Sequence, residues 1–310
     1  MNKILFTFPG QGAQIPGMLH ELDRQGEHGQ LLRQASDILG EDVMTLDTPQ
    51  ALERTRAVQL CILIAGVASA SWLIARKAVP DFVSGLSIGA FPAAVVSGAL
   101  DFADALRLVS LRGELMEKAA PAGYGLCAIG GLPERTVQTL VDAVCAPASP
   151  VYLANINASD QFVIAGSDDA IKKVLDMARE KGATKTDRLA VAVPSHCPLL
   201  ADAARFLHDA IGQVTFRRPA IAYLSGSTGR VLWQPQRIAD DLAFNMARPV
   251  RWADAMQAAC ERGVLLAIEM PPGSVLTGLA KRVLADGEAL SCQQQGMAGA
   301  LALALRRKAN

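Results

Sequence analysis

Aromatic side chains are scarce in this chain, with Phe, Tyr and Trp together making up 5% of its 310 residues. With 51% of the residues hydrophobic, the core must be built mainly from Ala, Leu, Val and Ile. An excess of one charge is also missing. The 30 basic and 30 acidic residues give a formal net charge of +0, which excludes the broad basic surface that nucleic acid or an anionic membrane attracts. Paired cysteines are absent too. Cys61, Cys127, Cys145, Cys197, Cys260 and Cys292 form no CxxC motif, so neither a disulfide frame nor a zinc site is expected. They read as buried free thiols of a reducing cytoplasm. Lys3 is followed only by the short apolar run ILFTFP and a Gly-rich turn, so no signal peptide is expected at the start.

One segment has the length of a membrane span. Residues 57–75 (AVQLCILIAGVASASWLIA) are nearly apolar, with Arg56 before them and Arg76-Lys77 after. Gln59, Gly66, Ser69 and Ser71 interrupt the run, and no second span exists. The expectation is a helix buried in a large soluble core and no membrane partner.

The chain is longer than an average domain and suits one α/β domain carrying an insertion. Residues 3–8 read as a first strand, 13–24 and 30–39 as helices, and 49–77 as one or two helices. A short strand at Phe82-Val83 runs into Gly85-Leu86-Ser87-Ile88-Gly89. A helix follows to Val96, then another over 101–119. Strands alternating with helices imply a mainly parallel sheet covered on both faces. Near Ala120 the pattern changes to strand (125–130), helix (133–145), strand (150–156), strand (161–166), helix (168–182) and strand (186–193). This βαββαβ order is ferredoxin-like. With junctions at Pro121 and at Val193-Pro194, residues 121–193 read as a small domain inserted into a larger one formed by 1–120 and 194–310. Beyond it, helices are expected at 198–213, 236–245, 250–262, 274–284 and 297–307, with strands near 220–224 and 264–268.

The segment 85–89 fits G-x-S-x-G between a predicted strand and a predicted helix. At such a turn the serine is strained and pushed clear of the sheet, and it sits at a helix N-terminus that favours developing negative charge. Ser87 is therefore the candidate nucleophile, the alternative being a plain Gly-rich turn. Phe8-Pro9-Gly10-Gln11-Gly12-Ala13-Gln14 is a second glycine turn after a strand. It is not a dinucleotide fingerprint, because Ile15 stands where the third glycine belongs. It can bring a backbone N–H toward Ser87, with the Ile88 N–H as the second donor of an oxyanion hole.

Of the four histidines, His20 and His28 lie in a polar stretch and His208 within a helix. His196 follows the expected strand and the stop Pro194-Ser195, at a strand end where ligand sites gather in open α/β sheets. It is the candidate general base. Asp187 and Asp202 are the nearby acids, neither with obvious geometry, and a backbone carbonyl can also orient a histidine. On the helix 101–119, Arg112 lies at i+4 from Leu108, i+3 from Val109 and i−4 from Met116, within the apolar stripe. A guanidinium facing the core needs an anion. That anion is either a protein carboxylate or a substrate carboxylate held by the bidentate fork.

Taken together, FPGQGAQ (8–14), GLSIG (85–89), LRLVSLRGELM (106–116), ANINASDQFVIAG (154–166), VAVPSHC (191–197), PVRW (249–252) and PPGSVLTGLAKR (271–282) resemble the malonyl-CoA:acyl-carrier-protein transacylase family. The resemblance implies a hydrolase-like core with a ferredoxin-like insert. Ser87 is then the acylated nucleophile, His196 its base and Arg112 the holder of the malonyl carboxylate. The amides of Gln11 and Ile88 form the oxyanion hole, and the main-chain carbonyl of Asn245 orients the histidine. It implies no bound cofactor and no metal; a coenzyme A thioester is the substrate, and an acyl carrier protein the partner. The chain departs from the family at Leu86, usually His, at Ala90, usually Glu, in the turn Asn157-Ala-Ser-Asp-Gln161, and at Pro271, usually Gly. GLSIGAFPAA and the opening FTFPGQGAQIPGML look most like the transacylase (epsilon) subunit of malonate decarboxylase. That implies a carrier with a dephospho-coenzyme-A-type arm and other decarboxylase subunits as partners. The alternatives are the fatty-acid-synthesis transacylase, a serine thioesterase or esterase, and a non-catalytic docking subunit.

Overall fold

In the computed structural model, which describes residues 3–23, 26–119, 122–191 and 193–309, the first strand shows why the large sheet is buried on both sides. β1 (Lys3–Phe8) turns Ile4, Phe6 and Phe8 toward one apolar cluster and Leu5 toward another. A strand covered on both faces needs apolar residues at every position, not alternation. After α1 (Gly26–Leu39) comes α2 (Thr55–Ala75), then β2 (Phe82–Gly85), α3 (Ala90–Val96) and α4 (Phe102–Ala119). Among the described residues α2 is the one helix long and apolar enough to cross a membrane, yet 83% of its most apolar window is buried inside the protein. It is the central helix of the larger core.

The chain then builds a second sheet from β3 (Tyr124–Gly130), α5 (Glu134–Val144), β4 (Val151–Ala158), β5 (Gln161–Ser167), α6 (Asp168–Glu180) and β6 (Lys185–Arg188). The strand order β4-β5-β3-β6 is antiparallel throughout. The amphipathic helices α5 and α6 bury Val137, Leu140, Ile171 and Val174 with Ile129, Phe162 and Ile164 of the sheet. The main body resumes with α7 (Ala201–Ile211), β7 (Ala222–Leu224), β8 (Val231–Leu232), α8 (Pro235–Phe244), α9 (Trp252–Glu261), β9 (Val264–Glu269), α10 (Val275–Lys281), β10 (Glu288–Ser291) and α11 (Cys292–Ala309). The large sheet runs β10-β9-β1-β2-β7-β8, parallel except for the terminal β7–β8 pair. The fold is thus α/β, a mainly parallel sheet accompanied by a small antiparallel one.

Several expected elements differ. Residues 13–23 form turns, not the start of a helix over 13–24, and Arg24 lies outside the described residues. Pro16 and Gly17 (φ 81°) break the helix there. The backbone N–H of Leu19 is taken by the buried carboxylate of Asp47 at 2.8 Å instead, while that of His20 bonds the Gly17 carbonyl at 2.9 Å within the turn. The strand expected over 186–193 ends at Arg188. Ala192, and the junction at Ala120-Pro121, lie outside the described residues. β8 and β10 were not expected from the sequence. They are short and form through pairing with β7 and β9. The last helix begins at Cys292, with a non-helical Gly296 (φ 73°) near its start.

Candidate active site

The turn after β2 is shaped by close backbone approach. Leu86 donates its N–H to the Phe8 carbonyl at 3.0 Å. A Cβ on Gly85 would run into the Gly89 carbonyl, and one on Gly89 into that of Phe8. Only glycine fits at these two positions, so the chain turns within three residues and leaves Ser87 at φ 56°. This left-handed conformation is costly for a residue with a Cβ, and it lifts the half-buried hydroxyl off the end of the sheet. A short 3-10 turn, Ser87–Gly89, leads into α3.

His196 faces that hydroxyl. Its Nε2 is 2.8 Å from Ser87 Oγ, and its Nδ1 is 2.7 Å from the Asn245 main-chain oxygen. A carbonyl only accepts, so Nδ1 carries the proton and Nε2 accepts the serine O–H. His196 is itself left-handed, at φ 64°, and its backbone N–H donates to the Met246 carbonyl at 2.6 Å. Two strained residues meet at one hydrogen bond, each held by the packing around it. The reason first given for His196 does not hold. β6 stops at Arg188 and belongs to the antiparallel sheet, so the histidine is not at a strand end of the parallel sheet. It enters on the return from the small sheet and is clamped by the turn after α8. Asp187 and Asp202 are elsewhere, paired with Lys185 and Arg205. His20 bonds Asp47, and His208 stacks on Phe244.

Arg112 is 0% exposed. Gly113 explains how it arrives, since a Cβ there would collide with the Arg56 backbone. That contact lays α4 tightly on the start of α2 and brings Arg112 to Gln59. Nη1 donates to Gln59 Oε1 at 2.7 Å, and Nη2 donates to Asn245 Oδ1 at 3.1 Å and Ser87 Oγ at 3.3 Å. Nε has no partner. No carboxylate is among these acceptors, so the internal ion pair considered from the sequence is not what holds the arginine. Burial lowers its pKa to about 9, which leaves it a cation at neutral pH.

Asn245 joins all three groups. Its carbonyl accepts from His196, its Oδ1 accepts from Arg112, and its Nδ2 donates to the Ser87 carbonyl at 3.3 Å. The side-chain part of this role was not read from the sequence, nor was Gln59, noted there only as an interruption of an apolar run. Ile88 is buried beside Ser87, and Gln11 sits in the turn after β1. The two loops pack together, since a Cβ on Gly10 would lie 2.6 Å from Leu86 Cδ2. Among the described residues no group of three or more His, Cys, Asp or Glu side chains is placed to hold a metal ion.

These contacts define an alcohol, a neutral base sharing its proton, and a fixed cation within reach of the same oxygen. Such a set suits transfer of an acyl group bearing a negative charge. Burial, with the Arg112 charge beside it, pushes the His196 imidazole down to about 4, the Asn245 hydrogen bond acting the other way. The base therefore stays neutral far below its ordinary 6.5. If Ser87 is the group acylated, its rate of acylation at limiting acyl donor is expected to stay flat from about pH 8 to about pH 5 and to fall only toward about pH 4. An inflection at the ordinary imidazole value would contradict this. The sign for stability follows. Between 6.5 and about 4 the unfolded imidazole takes a proton that the folded one refuses, so His196 makes the fold less stable as pH drops through that window.

The acyl transferase domain family matches residues 5–302. The malonyl CoA-acyl carrier protein transacylase of Haemophilus influenzae is 35% identical over 94% of this chain and 95% of its own length. That of Bacillus subtilis strain 168 is 32% identical, covering 91% of each. Among solved structures, FabD from Acinetobacter baumannii superposes with a TM-score of 0.93 at 34% identity, over 98% of this chain and 99% of that one. A malonyl-transacylase in complex with a type II polyketide acyl-carrier protein superposes at 0.91 with 32% identity, over 98% and 99%.

Proposed function

This chain belongs to the acyl transferase domain family and is an acyltransferase, and on that premise we propose that it moves a malonyl group from malonyl-coenzyme A to the thiol of an acyl carrier protein. The observation that carries the reading is Arg112, a buried cation with only neutral partners, 3.3 Å from the nucleophile. A malonyl thioester offers it a carboxylate at a fixed distance from the reacting carbonyl. In the first half-reaction Ser87 Oγ attacks that carbonyl while its proton passes to His196 Nε2. The oxyanion takes hydrogen bonds from the amides of Gln11 and Ile88. The C–S bond then breaks, and His196 returns the proton to the coenzyme A sulfur. In the second half-reaction the carrier thiol gives its proton to His196 and attacks the malonyl ester. Ser87 leaves with the proton restored. No cofactor takes part, and the cytoplasm is the proposed place of work.

For the acceptor, the relatives support a carrier of the fatty-acid-synthesis type better than the malonate decarboxylase placement expected from the sequence. Packing weakens the decarboxylase reading too. Ala90, within the GLSIGAFPAA segment that suggested it, is 3% exposed and lies in the core, where it does not meet an incoming arm. Leu86 packs over Gly10. The test is to form the malonyl-enzyme and offer it, at equal concentration, a phosphopantetheinylated fatty-acid carrier and a carrier with a dephospho-coenzyme-A-type arm. Transfer is expected to go predominantly to the first. Preference for the second would restore the decarboxylase subunit, and release to water faster than to either carrier would make the enzyme a thioesterase.

A further inference from the structure

Gln59 is a primary amide on an otherwise apolar face of α2, next to Val58, Leu60 and Cys61, and is 1% exposed. Burying such a group is unfavourable unless both its ends are bonded. Its Oε1 accepts from Arg112 Nη1 at 2.7 Å, while its Nε2 reaches only the Met116 thioether at 3.3 Å, a weak acceptor. The strong bond is to the guanidinium. Because a guanidinium only donates, the amide orientation is fixed with oxygen toward Arg112. All three acceptors around the cation, on Gln59, Asn245 and Ser87, are neutral. Carboxylates do exist on α4, the helix of Arg112 itself, but they are engaged outside. Glu117 binds Arg54 and the Arg56 backbone, and Glu114 faces the Arg56 side chain, which also takes Glu41. Arg112 is thus positioned but not neutralised.

From this we infer that Gln59 is a specificity-determining positioning residue: it fixes the Arg112 fork while leaving the full positive charge for the carboxylate of the acyl group. A glutamate in the same place would make the same bond and cancel the charge, turning an anion receptor into an internal ion pair. A leucine would leave the charge but free the fork to move. The inference rests on the proposed malonyl transfer, and it adds that selectivity depends on the neutrality of a residue that touches no substrate.

The experiment follows acylation of Ser87 by malonyl-CoA and by acetyl-CoA, read by intact mass after rapid mixing, in wild type, Gln59→Glu, Gln59→Leu and Arg112→Ala. Gln59→Glu is expected to lose the malonyl-over-acetyl preference by on the order of 100-fold, mainly through KM for malonyl-CoA, while acetyl labelling shows that the site still folds. Gln59→Leu is expected to lose about tenfold, since it adds no carboxylate to the core and only removes the acceptor from Arg112 Nη1. A wild-type preference in either variant, or equal losses in both, overturns the inference. If wild type takes no malonyl at all, the functional reading itself fails. If wild type and Arg112→Ala behave as proposed but Gln59→Glu keeps its preference, only the role of Gln59 fails.

Discussion

Ser87→Ala is expected to take up no acyl group from malonyl-CoA, while wild type gains the mass of one malonyl, and steady-state transfer is expected to drop by roughly 10⁴–10⁶-fold. The size of the effect comes from the site having no substitute. His196 Nε2 and Arg112 Nη2 both converge on this one oxygen, so without it the base has no proton to take and the thioester no nucleophile to meet. The substitution also relieves little strain, because alanine at φ 56° is no more comfortable than serine. Loss of activity is therefore expected without gross loss of fold. The measurement is intact mass after brief mixing, and a malonyl adduct that persists on the alanine variant would falsify the assignment of Ser87.

Arg112→Ala carries the next largest expected effect, and it is selective. Malonyl transfer should suffer more than acetyl transfer by about 2–4 kcal/mol of barrier, the range for removing one side of a buried charge pair. Only malonyl presents a carboxylate, so only malonyl loses an ionic partner. Arg112→Lys should recover part of this. The ammonium restores charge but not the planar fork that reaches Gln59 and Asn245 from different nitrogens. Single-turnover acylation with each thioester makes the comparison. Equal slowing for both would reduce Arg112 to a structural residue, one whose loss merely disorders Asn245 and with it the histidine.

The two residues carrying these predictions were legible in the sequence for physical reasons that the structure repeats. Ser87 stood between two glycines at a strand-to-helix switch, and close packing leaves no room for a Cβ at either. Arg112 fell on the apolar stripe of a helix whose period is easily read, and it is buried there. His196 was chosen from four by local context, and that context was wrong, because its neighbours in space come from the turn after α8, 49 residues on. The helix expected over 13–24 failed in a similar way: Asp47, outside any local window, takes the Leu19 N–H that a helix would have used. β10, the sequence Glu-Ala-Leu-Ser, has no β-branched residue and exists through pairing with β9. Gln59 was visible as a polar residue in an apolar run. Its partner on another helix was not, since contact between α2 and α4 depends on Gly113 meeting Arg56.

The order in which these groups occur along the chain has a consequence for biosynthesis. Asn245, whose carbonyl holds the histidine, is 158 residues beyond Ser87, and His196 is 109 beyond it. On a ribosome Ser87 is made first and the residue that clamps the histidine last. At translation rates of about 5–20 residues per second, Ser87 leaves the ribosome about 8–32 s before Asn245. Through that interval the half-made protein has the serine and the arginine but no clamped base to activate them. On the proposed mechanism such a chain would draw nothing from the coenzyme A thioester pool, and charging would report that synthesis has passed the turn after α8 and that the distant segments have closed.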